Sequence, residues 1–592
     1  MFLRVKRRFK DGKEHRYWSV VENRRTAGGR TVQRQVLYLG EINDSQQAAW
    51  CKSIKVLDAD ASSQGRQMVL FSDDRPAPEL ACEVVQVRLS ELSLHHPRQW
   101  GGCWLALNLW DPLELDTFWA EKLKPSRKGT RWLNVLKVLV CQRLLAPGSE
   151  WRLHRQWFGQ TALADLLGED FAVAQKDTLY RCLDRLLAHK QALFSFLTGR
   201  WESLFGARFD VLLYDLTSTY FECAPPEEGK RQFGYSRDKR FDCVQVVIAL
   251  IVIPEGFPLA YEVMPGNTSD KTTLKDFLES IERQYGKANR TWVMDRGIPT
   301  DETLQTMRQS DPPIHYLVGT PKGRLTRLEQ AFLTRPWNEV RESVQVKLVE
   351  RDGELYVLAR SEGRVDKERA MRRRRLKRLW RRLKELQQQA LSRDELLLKI
   401  SAAKKDAGRD YGLVAIQLPA LDQPVNADTF QFDLRKGKLR RARRREGCYL
   451  LRTNLTGDDP GLLWQHYIQL TEIEQAFKEL KSDLSIRPVY HQLDHRIEAH
   501  IFVAFIAYCL QVTLKFSARQ LAPGLTPRAI LEKLSAIQMV DVHLPTTDGR
   551  HLVLSRYTQP DPDQQLILQR LGLTLPLQPP PRIRSTALAD NP

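Results

Sequence analysis

The run VLLYDLTSTYF, residues 211–221, takes four apolar or aromatic residues into Asp215 and then presents Thr217, Ser218 and Tyr220. A short apolar run rich in β-formers reads as a buried strand. A carboxylate near the end of such a strand stands where open α/β sheets place their active sites. Asp also satisfies backbone N–H groups in ordinary turns, so Asp215 alone assigns nothing. A second segment of the same kind shifts the balance: Thr291–Met294 leads straight into Asp295-Arg296-Gly297. Between and beyond these two, Val244–Ile253 and Pro258–Met264 read as strands, and Asp270 caps a helix through Gln284. Thr300–Arg308 reads as a further helix and Ile314–Val318 as a fifth strand. Three strands in a meander, then strands alternating with helices, make an α/β or mixed-sheet pattern.

Upstream, residues 1–60 alternate in period two around Asp11-Gly12 and Gly28-Gly29, which predicts a small antiparallel sheet whose basic face suits either DNA contact or ordinary solvation. Residues 61–112 read as a linker and connecting segment. Helical periods fill 113–204, where WLNVLKVLVCQRLL is a buried helix and TLYRCLDRLLAHKQALFSFL carries an apolar stripe. That domain suits either a DNA reader of helix-turn-helix type or a scaffold. The first part of the core spans 205–319, and 320–446 interrupts it. The interruption holds a hairpin around Asp352-Gly353, a long helix over Asp366–Leu398 and a basic run Arg435–Arg445. The core resumes over 447–525, and 526–592 is a C-terminal extension whose Pro-rich end is expected to be disordered.

At 592 residues the chain is too long for one core. Its 91 Lys and Arg outnumber 72 Asp and Glu, for a net charge of +19. Such an excess calls for a polyanionic partner, and the arginine density of 372–384 favours phosphate. Nine cysteines lie scattered without metal-site or disulfide spacing, which fits a reducing cytoplasm. The N-terminus has no apolar signal core. Ile501–Phe516 is interrupted by Gln511 and Lys515 and is short for a bilayer, so no membrane partner is expected.

From Pro460 the sequence GLLWQHYIQLTEIEQAFKELKSDL reads as one helix. Tyr467, Leu470, Glu474, Lys478 and Lys481 share one broad face of it, a pattern that a surface helix laced by Glu474–Lys478 would also give. Alongside it stand DLTSTYFE (215–222), GYSRD (234–238), GNTSD (266–270), MDRG (294–297) and RPVYH (487–491). Taken together these resemble insertion-sequence transposases of the DDE class. In that branch the catalytic helix carries Tyr, two residues, Arg, three residues, Glu, six residues, Lys. Here the positions are Tyr467, Leu470, Glu474 and Lys481, with Leu470 in place of Arg.

The resemblance implies an α/β (α+β multidomain) fold. Its RNase H-like mixed sheet would be flanked by helices and interrupted by a β-rich, basic-helix insertion, behind N-terminal β and helical domains. It implies an enzyme that binds terminal inverted repeats, cuts DNA with metal and transfers the strand by a cut-and-paste route. Asp215 would bridge two ions, with Asp295 and Glu474 holding one each. Carboxylates suit hard Mg²⁺ or Mn²⁺. Tyr467 and Lys481 would contact the DNA backbone, with Lys478, Arg296 and Arg237 adding to it. The partners would be repeat and target DNA and a second copy in a synaptic complex, in the bacterial cytoplasm at the nucleoid. His491, His495 and His500 suit packing or DNA contact better than metal. A non-catalytic DNA-binding protein, or an inactive relic, would keep the basic domains without needing three carboxylates. A glycoside hydrolase would use paired carboxylates but would need an aromatic groove rather than an arginine-rich one.

Overall fold

The computed structural model describes residues 2–585 except 11–12, 26–30, 44–45, 47–49, 51–86, 239, 270–272, 286–289, 296, 321–331, 333–334, 342–343, 390, 421–422, 456–458, 488 and 548. The expected helix cap Asp270, the expected DNA contact Arg296 and residues 61–86 of the linker therefore lie outside the described residues. The chain divides into two compact units: Met1–Lys6, Arg16–Arg290 and Gln469–Pro592 form the first, Arg7–His15 and Thr291–Ile468 the second. Both mix helices with sheet, as the α/β class requires.

In the first unit, β1 (Val211–Phe221), β2 (Val244–Val252) and β3 (Pro258–Pro265) form an antiparallel meander. β2 reads VQVVIALIV and is buried at every position. Covered on both faces, it needs no polar alternation, and each aliphatic side chain so buried contributes about 1.5–3 kcal/mol. Leu213 pairs with Val252 and Phe221 with Val244, so β2 holds β1 along nearly its whole length. Asp215 consequently sits within the strand opposite Leu250, not near its end as expected from the sequence. Pairing with β2 carries the extended backbone well past the carboxylate.

In the second unit, β4 (Thr291–Met294) and β5 (His315–Thr320) are parallel, joined through helix α1 (Asp301–Gln309). The side chain of Thr300 accepts from the Thr303 N–H and caps that helix. β6 (Val344–Arg351) and β7 (Glu354–Ser361) form the expected hairpin, with Asp352 at φ 55° and Gly353 at φ 71°. Two positive φ values match the strand-compatible I′ turn, which Asp-Gly favours. β7 pairs with β8 (Cys448–Thr453), and β8 with β5. The hairpin of the inserted segment thus extends the sheet of its own unit.

Glu354 lies buried among Arg308, Arg452 and Tyr316, and Arg452 also reaches Asp301. The inserted helices are α2 (Glu362–Gln387), α3 (Arg393–Ala407) and α4 (Lys436–Arg444). The leucine stripe predicts one helix to Leu398, but α2 stops at Gln387. Ser392 and Glu395 form a capping box that starts α3. Leu379, Leu383 and Leu386 then pack with Leu396, Ile400 and Phe430 in a core of their own. α4 buries no side chain at all. The last element of this unit is α5 (Pro460–Ile468).

The chain returns to the first unit with α6 (Leu470–Lys478), a π-helical turn over Glu479–Asp483, and α7 (Asp494–Leu521). α6 packs against β1. α7 is buried at every position from Ala499 to Leu514, which explains its lack of a polar face. It is long and apolar enough to cross a membrane, yet its most apolar window is 83% buried inside the protein. Helices Trp132–Leu145 and Lys176–Leu186 pack against it. Ser93–Gln99, inside the segment read as a connection, pairs with Gln538–Pro545 of the C-terminal extension. Arg550–Tyr557 and Arg582–Ser585 complete that four-stranded sheet, so part of the Pro-rich end is ordered as strand.

Candidate active site

Asp215 is half-exposed on β1, flanked by buried Tyr214 and Leu216 and followed by buried Thr217, Ser218 and Thr219. Between Leu212 and Thr219 the strand is buried except at its one carboxylate. Glu474 lies on α6, which buries Leu470, Ile473, Ala476 and Phe477 and leaves Glu474 and Lys478 exposed. These two acids therefore belong to one unit, on elements that pack together. Leu470, standing where the resemblance expects Arg, is a buried packing residue. It has no group to offer a phosphate.

Asp295 belongs to the second unit, exposed directly after β4. The Tyr467 hydroxyl lies 3.5 Å from its Oδ1. Tyr467 is seated by Tyr449 and Trp464, with ring centroids 6.1 and 6.5 Å away. Gly319 on β5 makes that seat possible, because a Cβ there would stand 2.5 Å from the Tyr467 hydroxyl oxygen. The single helix expected from Pro460 is divided at Gln469, so Tyr467 and Glu474 sit on different helices, α5 and α6. Tyr467 thus meets a candidate metal ligand of its own unit, a relation that helical spacing does not suggest.

Lys481 is mostly buried, with its Nζ 3.0 Å from Asp238. Burial lowers its pKa, and neighbouring Arg487 and Arg237 lower it further against the pull of Asp238. Burial alone would raise Asp238, but hydrogen bonds from Arg487 and Lys481 hold it below the usual carboxylate range. Arg237 is half-buried, its backbone N–H donating to Ser218 Oγ at 3.4 Å. Among the residues expected to meet DNA in this unit, Lys478 alone is fully exposed.

The three histidines part company. His495 is exposed and meets Asp184 at 3.2 Å. His491 Nε2 and His500 Nδ1 lie 3.3 and 3.2 Å from Glu150 Oε1, all three residues buried and close enough together to surround an ion. Arg143 is buried there too, with Nη2 3.3 Å from His500 Nδ1. Burial would raise Glu150, yet hydrogen bonds from His491 and His500 keep it well below its usual range. Burial, with Arg143 beside it, pushes His500 down to about 4. The guanidinium, held by Ser485 O and His500, already puts a fixed positive charge near this carboxylate. A divalent ion would add two charges beside a buried arginine, at a large desolvation cost. Glu150, His491 and His500 therefore form a structural network that joins Glu150 to histidines hundreds of residues further along the chain.

The chain thus combines an α/β fold with solvent-accessible carboxylates at Asp215, Asp295 and Glu474 and with arginine-rich helices. The family model described as transposase DDE domain matches residues 210–510, just over half of the chain, and the chain belongs to that family. A second model, the N-terminal domain of IS1634 family transposases, matches residues 3–64. Among solved structures the chain is similar to a piggyBac transposase in a synaptic complex with hairpin DNA, at 10% identity and a TM-score of 0.33, over 75% of this chain and 82% of that one. No curated protein is matched. The protein is an insertion-sequence transposase of the DDE class, and DDE domains generally use divalent metal ions.

Proposed function

We propose that this transposase binds the terminal inverted repeats of its insertion sequence, cuts DNA at their ends and joins the freed ends to target DNA by a cut-and-paste route. One observation carries the reading: the DDE match, 210–510, includes Asp215, Asp295 and Glu474, and each is solvent-accessible. All-oxygen, anionic donors fit two hard ions, Mg²⁺ or Mn²⁺, rather than a softer metal. When bound, such a pair activates the attacking oxygen and stabilises the leaving one.

The chain's own residues supply the rest. Tyr467 orients the Asp295 carboxylate, and exposed Lys478 takes a DNA phosphate. α2 carries twelve basic and four acidic side chains, and α4 six basic and no acidic ones. Those two helices hold +14 of a chain total of +19, which suits contact with a length of DNA backbone. Two copies would bridge two transposon ends. The test is an end-labelled duplex carrying the repeats that flank the gene, incubated with Mg²⁺, Mn²⁺ or EDTA. Cutting at the repeat boundary with either metal and none in EDTA is the expected result. Binding without cutting in any metal would instead favour a DNA-binding relic.

A further inference from the structure

The GYSRD segment, residues 234–238, takes no part in the metal chemistry above, yet it is held in place more firmly than a surface loop requires. Gln232 and Gln245 bond each other's backbones at 3.1 and 2.9 Å. The buried Gln245 amide donates to Tyr235 O at 3.1 Å and Gly266 O at 3.0 Å. Gly234 passes so close to the 266 turn that a Cβ would stand 2.0 Å from Gly266 O. Ser236 is buried and accepts from the Arg240 N–H at 3.1 Å. Lys230 upstream is tied to Asp494 and Glu498 at the start of α7. The backbone leading to Asp238 is fixed at Tyr235 and Ser236.

What this frame presents is one carboxylate shared by two cations. Asp238 Oδ1 meets Lys481 Nζ at 3.0 Å, and Oδ2 meets Arg487 Nη1. Lys481 rides on the π-helical turn after α6, a deviation common at functional sites. Arg487 lies over the Tyr220 ring at 5.7 Å, and Arg240 over the same ring at 4.8 Å. Lys481 and Arg487 carry two positive charges against the one carboxylate between them, so the group keeps a net attraction for phosphate. A lysine has three donors and Arg487 five, and Asp238 occupies only one of each.

We propose that Asp238 is a positioning residue, holding Lys481 and Arg487 in fixed orientation to grip the phosphate backbone of bound DNA. This rests on the transposase reading above, whose family resemblance has Lys481 contact the DNA backbone. Asp238 does not itself touch the reacting atoms. Its carboxylate removes the rotamer freedom of two long side chains before DNA arrives.

The experiment compares wild type with Asp238→Asn, Asp238→Glu, Lys481→Met and the Asp238→Asn/Lys481→Met double variant. Cutting at saturating DNA and the Kd for the repeat duplex are both measured. Positioning predicts that Asn lowers the cutting rate at least 10-fold while Kd changes less than about 3-fold. Glu should recover part of that loss, and the double variant should lose less than the two single losses combined, because only Arg487 is then left for Asp238 to hold. Tighter DNA binding by Asp238→Asn would overturn the proposal, because Asp238 would then be competing with phosphate for the lysine. Additive losses in the double variant, or wild-type cutting by Asp238→Asn, would overturn it as well. Should Asp238→Asn misfold, the Glu variant against Lys481→Met decides: cutting at or below the lysine variant's rate counts against positioning. Wild type that fails to cut at all would sink the broader transposase reading, a result distinct from each of these.

Discussion

Gly319→Ala is expected to disturb the candidate site without touching any carboxylate. A Cβ at 319 would lie 2.5 Å from the Tyr467 hydroxyl oxygen and 3.2 Å from two of its ring carbons. Non-bonded heavy atoms settle near 3.5 Å, so the hydroxyl must retreat by roughly 1 Å. It already stands 3.5 Å from Asp295 Oδ1, at the limit of a hydrogen bond. A retreat of that size releases Asp295. Overpacking of this kind costs about 1–3 kcal/mol, and a 1 Å misplacement at a reacting centre about 10²-fold in rate. Thermal melts and metal-dependent cutting read the two effects separately. Tyr467→Phe removes the closest atom, so in that background the added methyl should cost less than about 1 kcal/mol, a coupling that a double-mutant cycle measures. Strict additivity, or Gly319→Ala with unchanged melting and cutting, would refute the packing argument.

Acid should loosen the first unit through Glu150 and His500. His500 is depressed from 6.5 to about 4, so below pH 6.5 the unfolded chain takes up a proton that the folded one refuses. The stability lost between pH 6.5 and 4 is about 3 kcal/mol. Glu150, also depressed, adds to the loss in the same direction. Melting followed from pH 7.5 to 4.5 should fall more steeply in wild type than in His500→Gln; equal slopes would count against the network. Glu354→Gln, which strips the buried counter-charge from Arg308 and Arg452, should cost about 3–5 kcal/mol on denaturant unfolding. Changing Arg440, Arg441, Arg443 and Arg444 to Ala on α4 should leave melting unchanged, since none is buried. It should also flatten the dependence of duplex affinity on salt, by about 0.9 in log–log slope for each phosphate that is no longer neutralised. An unchanged slope would exclude α4 from the DNA surface.

Local patterns report well what local forces decide. The apolar run of β2, the Asp-Gly hairpin and the end of β4 at Asp295 can all be read from neighbouring residues. So can the charge of α2 and α4. The break before α3 is also written locally, as Ser392 with Glu395, although the leucine stripe of α2 masks it. Asp215 falls mid-strand because strand length depends on pairing with β2, which no local pattern reports. The helix read as one piece from Pro460 is interrupted at Gln469, a break that its apolar periodicity does not show. Lys481 reads as an open DNA contact because nothing near it in sequence reveals Asp238, 243 residues away. His500 likewise gives no sign of Glu150, 350 residues distant.

The most direct test of the central claim sets Asp215→Ala, Asp295→Ala and Glu474→Ala beside wild type on the repeat-bearing duplex, with binding and Mg²⁺-dependent cutting measured on the same preparations. The account predicts that each variant binds the duplex as wild type does and that none of them cuts it. Sustained cutting by any one of the three would remove that residue from the metal site and contradict the assignment.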